Sequence, residues 1–201
     1  MKPLIDLTMP IHEGMTTYPG HPHTEIEMVK RYQADGREVR KFSMSTHAGT
    51  HIDAPRHFIP NGLTIDQIHP DILIGKCAVV DFFDLAMGNI NLPDERRILL
   101  RSGWYHMIND KVYYEHGGLG KRALEQIMAI RPFLIAMDFP SPDAPGQSKV
   151  HNILLGYGAV LVEYLTNTDA LADIDEVEIY CLPLKIVGAD GAPCRVLARP
   201  L

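Results

Sequence analysis

Apolar residues in this chain come in short runs separated by Gly, Pro, Asn and Asp. Residues 24–30 alternate apolar and polar side chains, the pattern of a half-buried strand. Residues 77–83, 133–137 and 159–165 are nearly continuous apolar runs rich in Val, Ile, Leu or Phe, as fully buried strands are. Residues 4–8, 41–46, 98–101 and 177–187 read as further strands, and residues 196–198 close a hairpin across Gly188-Ala189-Asp190-Gly191. Helical spacing is rarer. Leu124, Ile127 and Met128 set a helix over 119–130 that Pro132 stops. A second helix spans 149–155, with Ser148 as its N-cap and Gly156 as its stop, and a third short one spans 169–172. The expected fold class is α/β: a strand-dominated mixed single domain over residues 1–201.

Composition narrows the picture. Of 201 residues, 46% are apolar and 22% charged, ordinary globular usage. A chain of this length buries roughly 70% of its unfolded surface, so its core needs no staples. Fifteen prolines argue against a helical bundle. The net charge of -6, without any basic run, argues against a nucleic-acid partner and against an anionic membrane surface. Cys77, Cys181 and Cys194 form a sparse, odd set without a CxxC pair, which reads as reduced thiols, those at 77 and 181 in the core. No apolar stretch has the length of a signal peptide or a membrane span, so a cytoplasmic location is expected.

Ten histidines direct attention to metal or proton chemistry. Residues 45–58 read Ser-Thr-His-Ala-Gly-Thr-His-Ile-Asp-Ala-Pro-Arg-His-Phe, placing His47, His51, Asp53 and His57 within eleven positions and at one parity. A helix is disfavoured by Gly49, Thr50, Ile52 and Pro55. A straight strand would hold His47 and His51 about 13 Å apart, too far to share an ion. A bend at Gly49 removes the difficulty, so a kinked strand end with His47, His51 and Asp53 converging is expected. Two imidazoles and a carboxylate suit Zn²⁺ or Mn²⁺ and leave room for water and substrate. His57 stands just outside such a set, where a neutral imidazole exchanges protons. Further along, Glu163 lies in an apolar run and requires either a metal or an interior salt bridge. His151, in the first turn of a short apolar helix, taken alone reads as a packed or capping residue. His12, His21, His23, His69, His106 and His116 read as surface residues, with His21 and His23 placed to line a pocket, and Asp138 as a loop anchor.

The segment from His47 to Phe58 resembles the HxGTHxDxPxHF signature of the cyclase family, which includes bacterial kynurenine formamidases of tryptophan catabolism and isatin hydrolases. The opening Ile5-Asp6-Leu7-Thr8-Met9-Pro10-Ile11, the Tyr18-Pro19-Gly20 loop and the stretch from His151 to Glu163 extend the resemblance over essentially the whole chain. It implies a swivelling β/β/α fold, usually a homodimer or larger homo-oligomer. It further implies that His47, His51 and Asp53 hold one divalent metal, that Asp53 also reaches a second held by His151, that Glu163 serves both, that His57 carries protons, and that Tyr18 faces the substrate. The implied reaction is metal-dependent hydrolysis of a small amide, an aryl formamide or a cyclic amide, lactam or lactone; cyclisation, or metal-dependent binding without turnover, are the alternatives. One departure is Tyr18, where kynurenine formamidases carry Trp; Tyr also stacks on a ring but is smaller and bears a hydroxyl.

Overall fold

A computed structural model describes residues 2–201. Its strands are β1 (Ile5–Asp6), β2 (Glu25–Lys30), β3 (Val39–Ser43), β4 (His51–Asp53), β5 (Ile74–Asp81), β6 (Arg97–Arg101), β7 (Leu134–Met137), β8 (Val160–Glu163), β9 (Glu176–Pro183) and β10 (Gly191–Pro200). Its α-helices are α1 (Tyr32–Asp35), α2 (Pro70–Leu73), α3 (Phe82–Met87), α4 (Lys121–Ile130) and α5 (Lys149–Gly156). β2 and β3 form a separate ribbon. The others share one sheet, in which β10, β4, β8, β7, β6, β5 and β9 follow one another and β9 pairs back onto β10, so that seven strands close a barrel-like ring. β1 pairs with β10 beyond β4. This is the strand-dominated α/β architecture that the apolar pattern predicts.

From β5 to β8 the neighbours run parallel, and α3, α4 and α5 are the crossovers that parallel pairing demands. Both faces of these strands are covered, which explains their unbroken apolar runs. Leu99, Ala136, Val162, Ile179 and Val196 fill the ring. Their sequence neighbours Ile98, Leu100, Ile135, Met137 and Leu161 point outward and pack with Leu85, Ala123, Ile127 and Leu154 of the three helices. All three cysteines are buried and free. Among the described residues no helix is long and apolar enough to cross a membrane.

Several boundaries differ from the pattern. The strand expected over 77–83 stops at Asp81, whose carboxylate accepts from the Phe83 and Asp84 amides and starts α3. The strand expected over 177–187 ends at Pro183, and a loop leads to β10. The short strand at 196–198 is the middle of a ten-residue one, because β10 pairs with β4 first and with β1 and β9 afterwards. The strand expected over 41–46 lies earlier, at Val39–Ser43, and the helix expected at 169–172 is a 3₁₀ turn, Thr168–Leu171. Ser148 occupies the N-cap of α5 without capping it; the Asp143 carboxylate accepts from the Val150 and His151 amides instead.

Candidate metal centre

The candidate residues gather outside the ring wall, where β4, β8 and β10 meet the start of α5. Register does much of this. His51 lies directly opposite Glu163 on β8, and Asp53 directly opposite Gly191 on β10. Opposed residues of an antiparallel pair share a face, and positions two apart share it as well. His51, Asp53 and Glu163 therefore point together while Ile52 enters the core.

His47 arrives by another route. The strand begins only at His51, and residues 47–50 form a turn rather than the bent strand that parity suggests. Gly49 adopts φ +60°, a left-handed conformation that costs glycine little, and the turn folds His47 back over Asp53. Thr50 locks it: its hydroxyl accepts from the Met9 amide at 2.8 Å and donates to the Tyr164 carbonyl at 2.6 Å. His57 ends the 3₁₀ turn Pro55–His57.

The distances define a compact, buried cluster. Asp53 Oδ1 lies 2.7 Å from His47 Nδ1 and 3.2 Å from His51 Nε2. His151 Nε2 lies 3.5 Å from Asp53 Oδ2 and 3.3 Å from Glu163 Oε1, and His51 Nε2 lies 3.6 Å from Glu163 Oε2. The outward nitrogens are engaged elsewhere. His51 Nδ1–H donates to the Gly49 carbonyl at 2.8 Å, and His151 Nδ1–H to the Asp143 carboxylate at 2.7 Å. Each ring thus turns Nε2 inward, the arrangement typical of metal-binding histidines.

Electrostatics point the same way. Asp53 and Glu163 are buried, and among the described residues neither forms an ion pair with Lys or Arg; their charged partners are histidines. The interior salt bridge considered for Glu163 therefore involves no Lys or Arg among the described residues, only His51 and His151. Burial raises the Glu163 pKa, and the adjoining Asp53 charge adds to it. Burial also opposes ionisation of Asp53, but the His47 charge and hydrogen bonds from the three imidazoles hold its pKa well below the usual carboxylate range. Burial likewise opposes charge on His47 and His151. The carboxylates outweigh it, pushing His47 up to about 10 and His151 up to about 12. The cluster attracts positive charge strongly.

These residues fit a divalent cation. His51, Asp53 and Glu163 present donor atoms within 4.8 Å of one another, as do His47, Asp53 and His57. Glu163 Oε1 is buried without a hydrogen-bond partner, as expected of an oxygen reserved for an ion. Imidazole nitrogen with carboxylate oxygen is a donor set suited to Zn²⁺ or Mn²⁺.

A cavity of about 180 Å³ opens beside the cluster. Tyr18, His21, Phe58, Ser141, Gln147 and Tyr164 line it together with the cluster. Tyr18 packs edge-on against Tyr114 at 5.6 Å and tilts against His21 at 5.5 Å. Of the other histidines, His23 is exposed and outside this lining, and His116 is buried rather than exposed, stacked on Phe139. Asp138 anchors loops through the Ser102 and Gly103 amides and the Thr168 hydroxyl.

Two acids escape the sequence pattern. Asp143 orients His151. Asp190, in the segment read only as a hairpin turn, accepts from His47 Nε2 at 2.8 Å and from His57 Nδ1 at 3.0 Å, and those bonds hold its pKa well below the usual range. Asp is common in loops for reasons unconnected with catalysis, so no local signal marks either one.

Residues 5–144 match the family model described as "Putative cyclase". The kynurenine formamidase of Bacillus cereus (strain ATCC 10987 / NRS 248) is 31% identical, over 98% of this chain and 97% of its own length. That of Erythrobacter litoralis (strain HTCC2594) is also 31% identical, over 98% and 93%. Among solved structures, isatin hydrolase A from Labrenzia aggregata, bound to benzyl benzoate, superposes with a TM-score of 0.81 at 23% identity, over 98% of this chain and 93% of that one. A structure described as a potential metal-dependent hydrolase with cyclase activity gives 0.78 at 24% identity, over 98% of both chains. The two structural likenesses establish the fold; the family match over more than half of the chain, with the 31% identical relatives, shows that the chain belongs to the cyclase family.

Proposed function

We propose that this protein is a metal-dependent hydrolase of small amides and that its substrate is an aryl formamide. The observation that carries this reading is the pair of buried carboxylates, Asp53 and Glu163, facing inward-turned imidazoles with no Lys or Arg between them. His47, His51 and Asp53, with His151 and Glu163, would hold one or two divalent ions, Zn²⁺ before Mn²⁺ given the share of imidazole donors. A bound ion supplies Lewis acidity, acidifying water and stabilising negative charge as it develops on the carbonyl oxygen.

The protein's own groups do the rest. His57 has 22% of its side chain exposed, against 7% for His47, 2% for His51 and 8% for His151. It is the most exposed of these four cavity-lining imidazoles, and it takes a proton from the attacking water and returns it to the departing nitrogen. An anilide needs that proton, because its free anion is a poor leaving group. Tyr18, Phe58 and Tyr164 offer ring faces and edges to a single aryl group, and the cavity's size suits a small substrate. The kynurenine formamidases to which the chain is similar support the formamide assignment. The same reading places all of residues 1–201 in one catalytic domain of a cytoplasmic homo-oligomer. The groove containing Ile11, Phe42, Leu182 and Leu184, all exposed, supports self-association.

The test is turnover of N-formylkynurenine, formanilide, isatin and an aryl lactone by Zn²⁺- and Mn²⁺-loaded protein, with His57→Ala as the control. We expect the formamides to be cleaved fastest, and His57→Ala to lose about 10²–10⁴-fold in kcat while keeping its metal. Preference for isatin would move the assignment to cyclic amides. Full turnover by His57→Ala would remove its role, and tight ion binding with no turnover on the panel would leave a binding protein.

A further inference from the structure

Asp190 makes four ordered contacts, all with the segment that carries the metal-site signature. Its backbone carbonyl accepts from the Ala54 amide at 2.9 Å. Its Oδ1 accepts from the Thr46 hydroxyl at 3.0 Å. Its Oδ2 accepts twice, from His47 Nε2 at 2.8 Å and from His57 Nδ1 at 3.0 Å. The next residue, Gly191, is what lets it approach: a Cβ there would stand 2.6 Å from the Ile52 carbonyl oxygen and 2.9 Å from His47 Cε1. Any larger residue at 191 would force β10 away from β4 and carry Asp190 with it.

We propose that Asp190 is a positioning residue that sets the working tautomer of His57 and of His47 through one shared oxygen. An ionised carboxylate only accepts, so each nitrogen facing it must carry the hydrogen. His57 is then Nδ1–H, with its Nε2 lone pair free to take the proton from water. His47 then keeps a hydrogen on Nε2 whatever its charge; its Nδ1, 2.7 Å from Asp53 Oδ1, carries the other hydrogen until a cation takes that place. The proton carrier and a cation-holding imidazole, whose ring centroids lie 4.0 Å apart, are thereby fixed relative to each other by one side chain. Asp190 lies beyond Asp53 and Glu163 and needs no contact with substrate to do this.

The kinetic consequence rests on the hydrolase reading; the tautomer does not, so the two fail separately. Asp190→Ala removes the shared oxygen, while Asp190→Glu keeps the charge. The first measurement is imidazole ¹⁵N–¹H NMR on metal-free protein. Wild type should show His57 as Nδ1–H, and Asp190→Ala should shift it toward Nε2–H. An unchanged His57 spectrum would overturn the proposal whatever the protein catalyses. The second measurement is kcat and KM on formanilide with saturating metal, alongside Zn²⁺ affinity by chelator competition. We expect Asp190→Ala to lose about ten- to a hundredfold in kcat with KM within about twofold and to bind Zn²⁺ more weakly, and Asp190→Glu to restore part of both. In a His57→Ala background the Asp190→Ala change should slow kcat no further. Independent, multiplicative losses in the double variant would overturn the coupling. If the wild type takes up no divalent ion, the hydrolase reading fails, and the NMR result alone decides the role of Asp190.

Discussion

At the scale of single residues, the decisive feature is how each histidine spends its second ring nitrogen. His151 donates Nδ1–H to Asp143, while Phe58 stacks on its ring at 4.6 Å and 29°. Either contact could aim Nε2 at Glu163, but only the carboxylate also selects the tautomer and raises the basicity of the inward nitrogen. Asp143 caps α5 as well, so truncating it to Ala would confuse two roles. Asp143→Asn retains an oxygen for one of the two helix amides, which bond Oδ1 and Oδ2 separately, and removes the charge. We expect it to weaken Zn²⁺ binding by about 10–100-fold, measured by chelator competition, and to lower stability by no more than about 1 kcal/mol, the cost of one lost cap bond. Unchanged affinity would assign the orientation of His151 to Phe58 instead.

At the scale of elements, the centre depends on how closely β4 and β10 lie. Gly191→Ala puts a methyl group against the Ile52 carbonyl oxygen, and backbone cannot give way there as a flexible side chain could. We expect a loss of about 1–3 kcal/mol in denaturant unfolding, accompanied by weaker metal binding, because Asp190 and His47 move with the strand. Normal stability with normal metal affinity would mean that the pair separates freely. The same junction shows what could be read from the sequence. His47, His51, Asp53 and His57 are legible because eleven residues hold them all, and Glu163 because an acid inside an apolar run needs a reason. Asp190 reaches the cluster from 133 positions beyond His57, and only tertiary pairing brings it there. Strand existence was legible from apolar runs, whereas strand ends were not. Phe82 and Phe83 extend the apolar pattern of β5, yet the cap at Asp81 turns them into a helix. The closing of the ring by β9 on β10 left no mark in either strand's own pattern.

At the scale of the whole molecule, His116 joins parts that the sheet alone leaves separate. Its ring stacks on Phe139, just past β7, at 4.2 Å and 11°, and lies near Phe82 of α3 and Trp104 of the 3₁₀ turn after β6. Phe139 precedes Pro140 and Ser141, which line the cavity, so this packing supports the wall of the site. Burial disfavours the charged ring and lowers the His116 pKa from 6.5 to about 4. Its folded value lies below its unfolded one, so the unfolded chain binds the proton first. Stability from this residue is therefore complete above pH 6.5 and is lost as pH falls toward 4. Between pH 7.5 and pH 5 the loss comes to about 2 kcal/mol. His47 and His151 act oppositely, since their raised values favour the folded protein as pH falls, so wild-type stability alone would blend the two effects. A His116→Asn variant separates them: its side-chain oxygen can still accept the Gly118 amide that Nδ1 accepts at 3.0 Å, and it does not titrate. Urea unfolding of both proteins at the two pH values should show the wild type losing about 2 kcal/mol more than the variant on acidification. Equal losses would mean that His116 takes up its proton inside the folded protein, and that the packing beneath the cavity admits water.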